Sequence, residues 1–236
     1  MPGQVHPKTS TRKENIMSNV IYPVNAAEVL GSSSADSEEA LRTPGVPYED
    51  SNGLRIIGIY DQKLMQREVC VYGEIDNRLA NNFTAELKYL CGQSSDPITL
   101  YVNSPGGSVD AGLVMYDTLK AAERKGVSVE IYVTGMAASM AAVVAAGGPK
   151  GHRHILPHSR FMIHEPLISG GFGGSATQVK TTAESILETK ATINGLLAAD
   201  TGKTIEEINE ATDHDNFMTA EEAVAFGLCD DIRDIL

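Results

Sequence analysis

The segment 134–148, TGMAASMAAVVAAGG, is the feature of the sequence that constrains the fold most. It consists of small residues without proline and ends in a glycine pair, which favours a helix that stops at the glycines. A helix that begins near Ala137 would place Ser139 in its first turn, where backbone N–H groups lack an intrahelical partner. The amide of Met140 could then donate to an oxyanion formed by attack of the serine. A buried alanine-rich core helix with an incidental serine fits the same residues, so this segment alone leaves both interpretations open.

The charge of the chain argues against two classes of partner. The chain has 31 acidic and 19 basic residues, a formal net charge of −12, and no run rich in Lys or Arg. We therefore expect neither nucleic acid nor an anionic membrane as the main partner. The three cysteines show no C-x-x-C spacing, which indicates free thiols in a reducing compartment. No apolar run is long enough to span a bilayer, and no apolar stretch follows the basic N-terminus as in a secretory signal. These observations predict a soluble cytoplasmic protein or an organellar one.

Residues 1–53 differ in composition from the rest of the chain. They show little apolar periodicity, and their second half is rich in Ser, Gly, Pro and acidic residues. Such a composition predicts a flexible N-terminal arm or a removable pro-segment. The remaining residues, 54–236, are long enough to form one folded domain with a substantial core.

Within the predicted domain, strands alternate with helices, which indicates an α/β fold with helices packed on a sheet. The pattern predicts strands at 68–73, 98–103, 127–133 and 160–164, and helices at 78–91, 109–124 and 177–199. The last helix has an apolar stripe with spacings of three and four residues. It could protrude and pack against another chain or pack on its own sheet. Two capping boxes, which begin at Thr204 and Thr219, predict further short helices.

Three side chains suit acyl transfer to a serine. Ser139 supplies a hydroxyl, His164 at a predicted strand end supplies an imidazole that can take its proton, and Asp215 supplies a carboxylate that can orient the imidazole. A second oxyanion donor could come from the Gly106-Gly107 turn, where glycine allows close backbone approach. Each of these features alone is more typical of a structural role, and only their combination favours chemistry.

Two other histidines, His152 and His154, alternate on a predicted strand and share a face. No carboxylate or cysteine pattern accompanies them in the sequence, so we predict no metal site there. The chain also lacks a G-x-x-x-x-G-K-[ST] phosphate-binding loop and therefore any visible means of using ATP.

Four segments together resemble the proteolytic subunit of the Clp protease. They are SPGGS at 104–108, GMAASM at 135–140, FMIHEP at 161–166 and DNFMTAEEA at 215–223, and the resemblance covers roughly residues 53–236. It implies a crotonase-like α/β fold with a protruding handle helix. It also implies a serine endopeptidase, without metal or cofactor, enclosed by two stacked heptameric rings. Such rings consist of one subunit or of paralogous subunits, and an AAA+ ATPase unfoldase feeds them unfolded polypeptides.

The resemblance also assigns roles to residues of this chain. Ser139 corresponds to the nucleophile, His164 to the base, Asp215 to the orienting acid, and Gly107 and Met140 to the oxyanion amides. The glycine-rich segment would bind the substrate backbone by β-augmentation. Its residues are Gly170, Gly171, Phe172, Gly173 and Gly174.

The sequence departs from the usual family pattern at several positions. Glu165 stands where the family usually has Gln, Ala141 where it has Gly, and His214 where it commonly has Arg. Residues 168–169 resemble a two-residue insertion, and residues 1–53 do not resemble the usual axial segment.

Two other functions fit parts of the same pattern. One is a catalytically inactive ring subunit of the same family, although such subunits typically lack one or more triad residues. The other is an acyl-CoA hydratase or isomerase, which uses two backbone amides on the shared fold but normally relies on a carboxylate base. Because function depends on the site, fold alone cannot separate these possibilities.

Overall fold

The computed structural model describes residues 45–51, 53–168 and 173–235. These residues form two compact units, one that ends at Gln62 and one that begins at Lys63. Residues 1–44 of the predicted arm lie outside the described residues, as do Gly170, Gly171 and Phe172. Within the described ranges, no helix is long and apolar enough to cross a membrane.

The N-terminal unit contains a β-hairpin. Strands β1 (Gly45–Asp50) and β2 (Gly53–Gly58) pair antiparallel, with Gly45 opposite Gly58, and helix α1 (Ile59–Met65) begins directly after β2. The predicted boundary between arm and domain falls at the start of β2. Residues 45–50 therefore form regular structure inside the segment that composition assigned to the arm, because their backbone pairs with β2.

The larger unit is built on a seven-stranded sheet. Its central order is β3-β4-β5-β6-β9 with parallel pairing throughout, while β7 pairs with the far end of β5 and β8 pairs antiparallel with β7. The strands are β3 (Glu68–Tyr72), β4 (Ile98–Ser104), β5 (Val129–Ala138), β6 (Arg153–Ile155), β7 (Arg160–Ile163), β8 (Asn216–Met218) and β9 (Asp231–Ile232). The helices are α2 (Asn77–Gln93), α3 (Val109–Arg124), α4 (Met140–Ala146), α5 (Ala176–Thr201), α6 (Ile205–Thr212) and α7 (Ala220–Phe226).

The core lies between the central strands and the helices. In β3, β4 and the first half of β5, alternate residues are buried, as a period of two requires of side chains on one face of a sheet. Helices α2 and α3 cover the sheet with buried residues at helical spacing. Examples are Val69, Val71, Leu100, Val102, Ile131 and Val133 in the strands and Phe83, Leu87, Met115 and Leu119 in the helices.

Strand β5 is longer than the sequence indicated. We predicted a strand that ends at residue 133 and a helix that begins near Ala137, whereas β5 continues to Ala138 and α4 begins at Met140. Residues 136–138 pair with residues 160–162 of β7, and this pairing keeps them extended although two of them are alanines. Ser139 therefore lies at the junction between strand and helix and not inside the first helical turn.

The long helix α5 has two different halves. It begins with a capping box between Ser175 and Gln178, and its C-terminal half packs on the domain through the buried Ile193 and Leu197. In the N-terminal half, Leu187 is 63% exposed. Packing on its own domain thus accounts for only one half of the apolar stripe. The two predicted capping boxes at the starts of α6 and α7 are confirmed.

Candidate active site

The turn that carries Ser139 is strained. Ser139 has a φ of 54°, which is uncommon for a residue other than glycine. Backbone strain of this kind clusters at functional sites. The Ser139 N–H donates to the carbonyl of Met162 on β7 at 2.8 Å, which fixes the turn against the neighbouring strand. A sharp turn from strand to helix of this kind presents a serine oxygen at the end of a sheet.

His164 lies between Ser139 and Asp215. Its Nε2 is 2.9 Å from the Ser139 Oγ, and its Nδ1 is 3.2 Å from an Asp215 carboxylate oxygen. The fold explains the arrangement, since His164 follows β7 and the antiparallel pairing of β7 with β8 puts Ile163 opposite Asn216. The side chain of His164 is 16% exposed and that of Asp215 is 64% exposed. The three residues that the sequence singled out therefore meet in one hydrogen-bonded series.

This series has the geometry of an activated nucleophile. An imidazole within hydrogen-bond reach of a hydroxyl can accept its proton, and a carboxylate on the other ring nitrogen orients the ring and stabilises its charged form. Neither a metal nor a cofactor is needed for this proton transfer.

The predicted oxyanion amides, those of Gly107 and Met140, border the same turn. Met140 is the first residue of α4, so its N–H lacks an intrahelical acceptor. Next to Gly107, the Gly106 carbonyl accepts from the Ile75 N–H and the Ser108 N–H donates to the Ile75 carbonyl, both at 2.8 Å. Among the described residues, neither the Gly107 nor the Met140 amide donates to a protein acceptor. Both donors are therefore available to a ligand.

An apolar cleft adjoins Ser139 and His164. Its walls come from α3, α4, α5 and the end of β7, and the lining side chains other than the serine and the histidine are apolar. They are Val109, Met140, Val143, Ile163, Pro166, Ile193 and Leu197.

Only part of the predicted glycine-rich segment can be placed. Gly173 and Gly174 are exposed and belong to no helix or strand, and they directly precede the Ser175 cap of α5. The other three residues of that segment lie outside the described residues, so its role stays a prediction.

The structure brings carboxylates to His154, which the sequence pattern did not show. The buried His154 contacts Asp231 through Nδ1 at 2.5 Å and Glu130 through Nε2 at 2.9 Å, and Glu130 also contacts His152. Parallel pairing of β5, β6 and β9 assembles this group from distant parts of the sequence. Burial alone would raise the pKa of Glu130, but its hydrogen bonds to the two histidines lower that pKa. The described residues contain no cluster of His, Cys, Asp or Glu suited to a metal ion.

A second unforeseen group lies beside the candidate site. The Lys190 Nζ on α5 is 2.8 Å from a Glu165 carboxylate oxygen and 3.2 Å from one of Asp213. These hydrogen bonds, first from Glu165 and then from Asp213, raise the pKa of Lys190. In the sequence, only Glu165 pointed to this group, because it stands where the family usually has Gln.

Comparisons with known proteins decide the family. The family model for Clp protease matches residues 51–235. The chain belongs to the Clp protease family. It is also similar to the ATP-dependent Clp protease proteolytic subunit of Ligilactobacillus salivarius (strain UCC118). The two chains are 46% identical over 190 residues, which cover 80% of this chain and 94% of the relative.

Family membership confirms the resemblance seen in the sequence, and with it a crotonase-like α/β fold, to which the parallel sheet conforms. Clp proteolytic subunits are hydrolases of the protease class. The hydratase alternative is therefore not supported, whereas an inactive Clp subunit would match the same family.

Proposed function

We propose that this Clp subunit is an active serine endopeptidase whose nucleophile is Ser139. The observation that supports the proposal is the series of contacts from Ser139 Oγ through His164 to Asp215, at 2.9 and 3.2 Å. Inactive ring subunits typically lack a member of this triad. In this chain all three members are present and within hydrogen-bond distance of one another.

The chemistry follows from the positions of these atoms. Ser139 Oγ attacks the carbonyl carbon of the scissile bond while His164 Nε2 takes the hydroxyl proton, and Asp215 stabilises the resulting imidazolium. The N–H groups of Gly107 and Met140 donate to the oxyanion of the tetrahedral intermediate. The imidazolium then gives its proton to the departing amine as the C–N bond breaks. The acyl group stays on Ser139 Oγ as an ester. Water attacks the ester by the reverse proton path and releases the second product.

The substrate we propose is an unfolded polypeptide or a short peptide. The small apolar cleft beside Ser139 presents apolar side chains next to the scissile bond, and we propose that they contact an apolar side chain of the substrate. The exposed glycines before α5 belong to the segment for which we propose pairing with the substrate backbone.

The proposed partners are further copies of this chain and an AAA+ ATPase unfoldase. The relative from Ligilactobacillus is named an ATP-dependent subunit, and this chain has no phosphate-binding loop of its own. The exposed half of α5 supports the proposal that this helix is the handle through which two heptameric rings stack. The rings would consist of this chain alone or of this chain mixed with paralogous subunits.

Turnover of a fluorogenic dipeptide tests the proposed function. We expect Ser139→Ala to lose nearly all turnover with the fold intact, while Ser95→Ala, at an exposed loop serine after α2, keeps wild-type turnover. Retention of more than about a tenth of wild-type turnover by Ser139→Ala would contradict the role of Ser139, since nucleophile loss in a serine protease typically costs far more.

A further inference from the structure

Two chain segments must keep their relative positions for the site to exist. One is the residue stretch after β7 that contains His164, and the other is the loop between α6 and β8 that contains Asp215. Asp215 is 64% exposed and its contact with His164 is 3.2 Å long, so burial contributes little to keeping the two side chains together. The pairing of β7 with β8 aligns the two backbones up to Ile163 and Asn216 but does not include His164 or Asp215. Contacts beyond that pairing must therefore fix the two side chains.

Lys190 contacts both segments from α5. Its ammonium group bonds Glu165, the residue after His164, at 2.8 Å, and Asp213, two residues before Asp215, at 3.2 Å. The Lys190 side chain is 23% exposed, against 43% for Glu165 and 61% for Asp213. The ammonium is thus the partly buried centre of a bridge between two more exposed carboxylates.

A second side chain, one helical turn further along α5, supports the same connection. Asn194 is fully buried, and its amide nitrogen donates to Asn209 at 2.7 Å and to the Thr212 hydroxyl at 3.1 Å. The Thr212 carbonyl in turn accepts from the Glu165 N–H at 2.8 Å. Residues four apart lie on one helix face, so a single face of α5 contacts both segments.

We propose that Lys190 is a positioning residue that sets the contact between His164 and Asp215. This inference rests on the proposed peptidase function for its kinetic consequences only. An ion pair whose carboxylates are exposed adds little to global stability, because solvent screens it and long side chains must be ordered. Loss of the bridge should therefore show in the geometry of the site and in the rate of the chemical step, while the melting temperature changes little. Small misplacements of reacting groups can lower the rate by one or two orders of magnitude.

The test compares Lys190→Met, Lys190→Arg and the matched control Lys203→Met. Lys203, just before α6, is 28% exposed and pairs with Glu207 at 3.1 Å, so the control removes an ion pair of similar exposure. Sedimentation first verifies that each variant has the wild-type assembly. Hydrogen exchange by mass spectrometry then follows residues 160–168 and 211–218, and dipeptide hydrolysis gives kcat and KM.

For Lys190→Met we expect kcat to fall about tenfold while KM stays within about twofold of the wild type. A mispositioned base reduces stabilisation of the transition state and leaves substrate binding unchanged. Amides in the two segments, including that of Glu165, should exchange about fivefold faster, since opening of the bridge exposes them. Lys190→Arg should restore most of the wild-type kcat and of the wild-type exchange rates, and Lys203→Met should match the wild type. The melting temperature should stay within about 3 °C in all variants.

Wild-type kcat and wild-type exchange in Lys190→Met would overturn the proposal, as would equal defects in Lys190→Arg and Lys190→Met. The exchange measurement does not depend on peptidase activity. If the wild type itself hydrolyses no peptide, the proposed function fails. Faster exchange in Lys190→Met with recovery in Lys190→Arg would still support the bridge in that case, and unchanged exchange would overturn it.

Discussion

Gly106 approaches Ser139 so closely that a Cβ atom on the glycine would lie 2.7 Å from the Cβ of Ser139. The same Cβ would lie 2.5 Å from the Ala138 carbonyl oxygen and 3.0 Å from the Met140 nitrogen. Gly106 also has a φ of 87°, which residues with a side chain rarely adopt. The turn that precedes α3 therefore packs directly against the backbone around the candidate nucleophile, and only glycine permits this packing.

Gly106→Ala should displace the two turns from each other and lower peptidase kcat by about a hundredfold, because small displacements of reacting groups cost that much. Gly73→Ala is the matched control, since Gly73 has a φ of 79° but a Cβ there would have no atom of another described residue, its chain neighbours aside, within 4 Å. Both variants share the strain of a positive φ, about 1 kcal/mol in the free energy of unfolding. Equal activities of the two variants would show that the close approach to Ser139 is unimportant.

Asp215→Asn should reduce kcat by about a hundredfold or more, because an amide cannot stabilise the imidazolium and favours the wrong tautomer. The loss should be no larger than that of Ser139→Ala. Asp117→Asn, an exposed carboxylate on α3, is the control for a change of surface charge. Steady-state hydrolysis of a fluorogenic dipeptide measures both, and near wild-type kcat in Asp215→Asn would remove Asp215 from the mechanism.

Asp230→Asn should destabilise the protein in a pH-dependent way. Asp230 bonds the buried Arg153 through both carboxylate oxygens, at 2.6 and 3.1 Å, and accepts from the Gly151 N–H at 2.7 Å. Burial would raise the pKa of Asp230, but these bonds and the Arg153 charge lower that pKa below its ordinary 3.8. Removal of one partner of such a buried pair lowers the free energy of unfolding by about 3 kcal/mol.

The sign of the pH dependence follows from the lowered pKa. The stabilisation from Asp230 is present in full above about pH 4 and is lost as the pH falls through the folded-state pKa. Denaturant unfolding at neutral and acidic pH should therefore show a difference between wild type and Asp230→Asn that shrinks below pH 4. Asp234→Asn, an exposed carboxylate nearby in the sequence, should show little difference at any pH. A difference in Asp230→Asn that grows in acid would contradict the assignment.

Leu187→Glu should weaken assembly without unfolding the subunit. Leu187 is 63% exposed and Val179 is 41% exposed on the half of α5 that does not pack on its own core. A charge placed in an apolar contact between subunits costs several kcal/mol, whereas a charge on a free surface costs little. Thr181→Glu, six residues before Leu187 and on another face of the same helix, is the control. Sedimentation should show smaller species for Leu187→Glu alone, and unchanged sedimentation would exclude this face from the contact.

Sequence reasoning predicted the regular elements well where patterns are local. Helix α3 begins and ends as predicted, and β3 and α5 are within two residues at each end, because alternation, helical spacing and caps determine them. The predicted end of β5 was wrong, since residues 135–138 show no strand pattern in the sequence and their extended state depends on pairing with β7.

The same distinction applies to the site. Ser139, His164 and Asp215 could be named because their surrounding motifs match a family, although nothing local shows that they meet. The bridge from Lys190 to Glu165 and Asp213 could not be predicted, since its members lie 23 and 25 residues apart and meet only through the packing of α5.

Labelling with a fluorophosphonate tests the activation of Ser139 most directly, because only a serine hydroxyl with a positioned base reacts at an appreciable rate. Intact mass and peptide mapping of the assembled wild type should show one adduct per chain, located on Ser139. Ser139→Ala should show none, and His164→Ala should react at least about a hundredfold more slowly. An unlabelled wild type, or an adduct on another serine, would contradict the assignment of this chain as an active serine endopeptidase with Ser139 as its nucleophile.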